Sequence, residues 1–98
     1  MLLFEWDQKK AKNNLKTHDI SFDEASTAFG DVLSLVIYDP LHSADEDRFV
    51  LIGHSHKNRL LVIVHTERGN IIRIISARKA TQKEKEQYEE NAKRSRHA

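Results

Sequence analysis

A chain of 98 residues makes one domain, large enough to bury roughly 65% of its unfolded surface without staples. Its 39% hydrophobic and 32% charged residues are those of an ordinary globular protein, and the absence of cysteine excludes disulfides, zinc ribbons and thiol chemistry. The net charge of +1 hides an asymmetry: residues 1–47 carry four lysines against ten acids, and residues 48–98 carry twelve Lys or Arg against five Glu. That division fits either a basic patch for an anion or two halves that attract each other within one fold.

The opening MLLFEWD meets acids before any long apolar run, so no signal peptide is expected. The longest aliphatic run, residues 60–64, is far short of the ~20 residues of a membrane span, and a cytoplasmic protein is the expectation. Residues 2–6 read as a short strand. Asp7 can cap a helix over residues 8–17, where Ala11 and Leu15 form a narrow apolar stripe among Lys9, Lys10, Lys12 and Lys16. Ser21-Phe22-Asp23-Glu24 is a capping box opening a second helix, with Phe22, Ala25 and Phe29 toward the core and Gly30 as the stop. Residues 32–38 read as a strand closed by Asp39-Pro40. The following loop, with Asp45, Glu46 and Asp47, lacks the spacing of a calcium loop and reads as solvated.

Residues 48–56 and 59–67 form a hairpin around Lys57-Asn58. A two-residue loop sets Arg48 opposite Glu67, Val50 opposite His65 and His54 opposite Leu61. One face then collects Arg48, His54, His56, Arg59, His65 and Glu67 as a working face. Phe49, Leu51, Leu60, Val62 and Val64 form the face that packs on helices. Residues 70–80, NIIRIISARKA, place four isoleucines on both faces of a strand, which argues for a central position. Arg73, Arg78 and Lys79 interrupt that run, and a guanidinium there needs a carboxylate, a backbone acceptor or a wet functional face. Structural ion pairing and phosphate binding are equal readings of these residues. A Gly69-Asn70 turn would place Arg78 beside Leu61, in the row of His54, whereas an Arg68-Gly69-Asn70 turn would place Arg73 opposite His65. Both arginines are therefore carried. Thr81-Gln82-Lys83-Glu84 is a second capping box, opening a helix to about residue 94 with only Tyr88 and Ala92 as apolar anchors. The SRHA tail is expected to fray.

His54 and His56 share a strand face, but His65 lies about 13 Å along the ribbon at ~3.3 Å per residue, so no metal site is expected, and no cofactor. Phosphate-loop and dinucleotide fingerprints are missing. Metal-free RNA cleavage requires a base, an acid and cations for the charge that develops on phosphorus. Arg73, Arg78, His54, His65 and Glu67 are the catalytic candidates, with Arg48 and Glu67 orienting the site. Arg48, Lys57, Arg59, Lys79 and Tyr88 are candidates for RNA contact.

The stretches FEWDQKKAKNNLKTHDISFDEA (4–25), DRFVLIG (47–53) and RIISARKAT with EKEQYE (73–89) resemble the BrnT family of type II toxins, in order and over nearly the whole chain. The resemblance implies a RelE-like α+β fold, an antiparallel four- to five-stranded sheet with two N-terminal helices packed on one face and a C-terminal helix. It implies an endoribonuclease that blocks translation and is neutralised by a BrnA-type antitoxin. That antitoxin would be a ribbon-helix-helix dimer in a heterotetramer, contacting DNA on the toxin's behalf and repressing the shared operon. Two departures are Asp19, where the family usually has glycine, and the SRHA tail. The rival readings are a non-catalytic module that binds RNA, a ribosome or a protein, and a purely structural partner subunit.

Overall fold

The computed structural model describes residues 1–42 and 46–97, so Asp45 of the expected acidic loop lies outside it. In chain order the elements are β1 (Leu3–Glu5), α1 (Gln8–His18), α2 (Phe22–Thr27), β2 (Leu35–Asp39), β3 (Arg48–His54), β4 (Leu60–Arg68), β5 (Ile71–Lys79) and α3 (Gln82–His97). The fold is α+β, with a five-stranded sheet in the order β1-β5-β4-β3-β2. The sheet is mixed rather than antiparallel, because β1 pairs parallel with β5 while every other pair is antiparallel. Most of the chain separates β1 from β5, well beyond the dozen or so residues that a parallel crossover needs. α3 continues to His97, past its expected end.

The caps are local chemistry. Asp7 Oδ1 accepts from the Lys10 amide at 3.0 Å, and α1 stops at Asp19, whose φ of 58° is left-handed. A short acidic side chain tolerates that conformation better than most, which is how Asp19 stands where glycine is usual. Ser21 Oγ accepts from the Glu24 amide at 3.0 Å, yet the Glu24 carboxylate leaves the cap for other partners.

Alternating strand residues build two cores on opposite sheet faces. On one, Ile20, Phe22, Ala25 and Ala28 pack against Leu51, Leu61, Ile63, Ile72, Ile74 and Ala77. On the other, Tyr88 of α3 packs on Ile52 and Val62, and with Ala92 it supplies the buried anchors expected of that helix. Asn14 laces α1 to the sheet: its Nδ2 donates to the Ile20 and Ala77 carbonyls (3.0 and 2.9 Å), and its Oδ1 accepts from the Ala77 amide (3.1 Å).

Two registers differ from expectation. The β3–β4 turn is His56-Lys57-Asn58, closed by the Ser55 amide on the Arg59 carbonyl (2.9 Å), with Asn58 at φ 58°. That extra turn residue shifts the pairing by one, so Arg48 faces Thr66, Val50 faces Val64 and His54 faces Leu60. Leu60, Val62 and Val64 therefore share the face of Arg48 and His54, and His65 joins Phe49 and Leu51 on the other. The β4–β5 turn is Gly69-Asn70, placing Arg73 opposite Thr66. A bulge between Val64 and His65 then shifts the ladder, so Arg78 lies opposite Val62, not Leu61. Arg73 and Arg78 are an odd number of residues apart and would normally face opposite ways. The bulge turns both to the α3 side of the sheet.

Candidate functional site on the sheet face beneath α3

β3 presents Arg48 and His54, and β5 presents Arg73 and Arg78, on one face of the sheet, on which Tyr88 of α3 packs. Arg73 lies in a row running Asp39, Arg48, Thr66, Arg73, Glu5 across the five strands. Its Nη1 donates to Glu5 Oε2 at 2.8 Å, with both side chains about half exposed. Arg78 grips Glu84 with two parallel bonds, Nη1 to Oε1 (2.7 Å) and Nη2 to Oε2 (2.8 Å), and remains 43% exposed. Glu84 also accepts from the Thr81 amide at 2.9 Å, completing the second capping box. The Arg78 bonds, against a smaller opposing effect of burial, hold the Glu84 carboxyl down to about 2. Each of the two arginines thus has a carboxylate partner, and each keeps part of its surface in water.

Six rows from Arg73, where β3 ends, a second constellation forms around Asp31, in the turn before β2. Its Oδ1 accepts from the Leu33 amide (2.9 Å), and its Oδ2 accepts from the His54 amide (2.9 Å) and the Tyr88 hydroxyl (2.7 Å). The Tyr88 hydroxyl also lies 3.1 Å from His54 Nδ1, and the two rings meet edge to face at 5.0 Å. Burial alone would raise the Asp31 carboxyl, but the three donors outweigh it and hold it below the usual carboxylate value. The His54 side chain is 40% exposed and opens on a cleft lined by Leu33, Tyr88, Glu89, Ala92 and Lys93.

The expected working face does not assemble as one group. His65 is fully buried beneath the first two helices, its ring edge-on to Phe29 at 4.9 Å and stacked on Phe49 at 6.0 Å. Desolvation lowers its pKa, its Nε2 has no hydrogen-bond partner among the described residues, and Glu67 Oε1 is 3.8 Å away. The one-residue register shift accounts for this displacement and carries Glu67 away from Arg48. Arg59 is also diverted. Its Nε and Nη2 bind the Glu24 carboxylate, its Nη2 reaches the Asp19 carbonyl (3.0 Å), and Ser55 Oγ donates to Glu24 Oε2 (2.7 Å). Lys57 Nζ lies 4.0 Å from the same carboxylate, while Lys79 is exposed at the end of β5, on the face opposite Arg78. Sequence reasoning missed Asp31. Its position just after Gly30 marks a turn, but nothing local points to His54 or Tyr88.

No helix among the described residues is long and apolar enough to cross a membrane. Comparison with curated proteins yields no match. The 1.1 Å crystal structure of the Brucella abortus ribonuclease toxin BrnT is similar at 26% identity and a TM-score of 0.61, over 84% of this chain and 100% of that one. A family profile described as the ribonuclease toxin BrnT of type II toxin–antitoxin systems matches residues 6–84. Sequence and fold agree, and the chain belongs to the BrnT family of type II ribonuclease toxins.

Proposed function

We propose that this toxin is a metal-independent endoribonuclease that cuts RNA in the cytoplasm and arrests translation in a RelE-like manner. The observation that carries the reading is His54, half exposed at a cleft beside Tyr88, on the same sheet face as Arg48, Arg73 and Arg78. RNA contains its own nucleophile, so the protein must supply proton transfer and positive charge and need not supply a metal. His54 is suited to move the protons. The bidentate pair with Glu84 uses one N–H on each terminal nitrogen of Arg78, and a guanidinium has five, so further donors exist for a phosphate. Arg48 and Arg73 extend the cationic track, whereas Lys57 and Lys79 lie away from it, Lys57 beside Glu24 and Lys79 on the opposite sheet face. His65 and Glu67 drop out of this set because of where the register puts them, and Arg59 is occupied by Glu24. A BrnA-type ribbon-helix-helix antitoxin, in a heterotetramer, would neutralise the toxin and provide its only contact with DNA.

The ion pairs of Arg73 and Arg78 favour a second reading, a module that occupies RNA, a ribosome or a protein without cutting. Incubation with RNA in excess chelator, with and without ribosomes, separates the two. Fragments ending in 2′,3′-cyclic phosphate support the enzyme; shifted, intact RNA supports the binder. Folded Arg78→Ala should lose growth arrest, and full toxicity in both Arg78→Ala and Arg73→Ala would remove the arginines from the mechanism.

A further inference from the structure

The Tyr88 hydroxyl has one hydrogen. A carboxylate can only accept, so at 2.7 Å from Asp31 Oδ2 that hydrogen is committed to Asp31. What the phenol then offers His54 Nδ1, at 3.1 Å, is an oxygen lone pair. Nδ1 must therefore carry a hydrogen, and it lies 3.7 Å from the same carboxylate oxygen, which favours that hydrogen electrostatically. Resting on the ribonuclease reading, we infer that Asp31 and Tyr88 are positioning residues that lock His54 as the Nδ1–H tautomer. His54 Nε2 is then the atom that takes the proton of an RNA 2′-hydroxyl.

The order of the chain along this relay is carboxylate, phenol, imidazole. The same Asp31 oxygen also accepts from the His54 backbone amide, so it fixes the ring's base as well as its tautomer. Asp31 Oδ1 is anchored in turn by the Leu33 amide. In the step itself, the O2′ proton moves to Nε2 as O2′ bonds to phosphorus. The P–O5′ bond breaks, O5′ leaves with a proton from water, and the hydroxide that remains takes the proton back from Nε2. Imidazolium formed at Nε2 keeps its Nδ1–H on Tyr88, so neither positioning residue has to move between the neutral and charged forms. Glu89 and Lys93 of α3 line the same cleft.

Long-range nitrogen–proton NMR on the isolated toxin at pH 8 tests the assignment directly. The expected spectrum of His54 has a protonated Nδ1 and a bare Nε2. Tyr88→Phe keeps the ring that packs on Ile52 and Val62 but removes the oxygen, and Asp31→Asn releases the phenolic hydrogen to turn toward Nδ1. The two substitutions together should move His54 to the Nε2–H form, and each should lower kcat for RNA cleavage on the order of 10²-fold with little change in KM. A bare Nδ1 in the wild-type protein, or a tautomer unchanged in the folded double variant, overturns the inference even if RNA is cut. Uncut RNA with the Nδ1–H tautomer in place supports the assignment and overturns the ribonuclease reading alone.

Discussion

Replacing Arg59 by methionine would strand the Glu24 carboxylate. That side chain is 1% exposed and accepts from Arg59 Nε at 2.9 Å, from Arg59 Nη2 and from Ser55 Oγ at 2.7 Å. Methionine retains an unbranched apolar stem but supplies no donor. Breaking a buried pair from one side costs about 3–5 kcal/mol, and since Arg59 is 25% exposed water can partly enter, which favours the lower end, about 3 kcal/mol at pH 7. That is on the order of a third of the stability of a domain this size. In the wild type, the Arg59 bonds outweigh burial and hold Glu24 below its usual pKa, so the pair stabilises at neutral pH and is lost as pH falls through that lowered value. In Arg59→Met burial prevails and the Glu24 pKa rises above that of the unfolded chain. The gap between variant and wild type should then narrow as pH drops from 7 to 5. Urea unfolding at both values measures it, and adding Glu24→Gln should recover about 1 kcal/mol or more. A loss below about 1 kcal/mol at pH 7, or a gap that widens in acid, would refute the argument.

Glu84 is held near 2 by Arg78, so its contribution is present above about pH 4.5 and disappears as pH falls through 2. Glu84→Gln should blunt that acid sensitivity in a circular-dichroism titration and cost about 1–2 kcal/mol at pH 7, allowing for solvent around Arg78. His65 has the opposite origin: burial lowers its pKa, so the unfolded chain takes up its proton first and stability falls as pH drops below about 6.5. His65→Phe should flatten the thermal midpoint between pH 7 and 5, and a midpoint that keeps its wild-type pH slope would show that another group titrates. Gly53 is a matter of space. A Cβ there would sit 3.0 Å from the Ala28 carbonyl oxygen, so Gly53→Ala should lose about 1–3 kcal/mol by denaturant titration.

What was legible in the chain was local. Asp7, Ser21 and Thr81 announce helix starts, Gly69-Asn70 announces a turn, and Tyr88 with Ala92 marks the thin seam by which α3 docks. What was not legible depended on partners far along the chain. Asn58 in a left-handed conformation makes a three-residue turn where Lys57-Asn58 suggests two, and that one residue puts His54 and His65 on opposite faces. The bulge beside Ile75 is hidden among four similar isoleucines. Glu24 obeys capping-box grammar while its carboxylate serves Arg59, 35 residues on. The site is half visible: His54 and Tyr88 both stand out in the sequence, in separate roles. Asp31, which joins them, is 23 and 57 residues from its partners and could be recognised only once the chain was folded.

The side chain of Asn14 acts as a substitute backbone. β1 pairs with β5 only as far as Arg73, and beyond that point the Ala77 amide and carbonyl turn away from β4 toward α1. Asn14 answers both, with the same donor and acceptor that a sixth strand would bring. It closes the margin of the ribbon with a single carboxamide. A chain lacking that carboxamide could keep its fold and yet become adhesive, recruiting neighbouring molecules edge to edge along the upper half of β5.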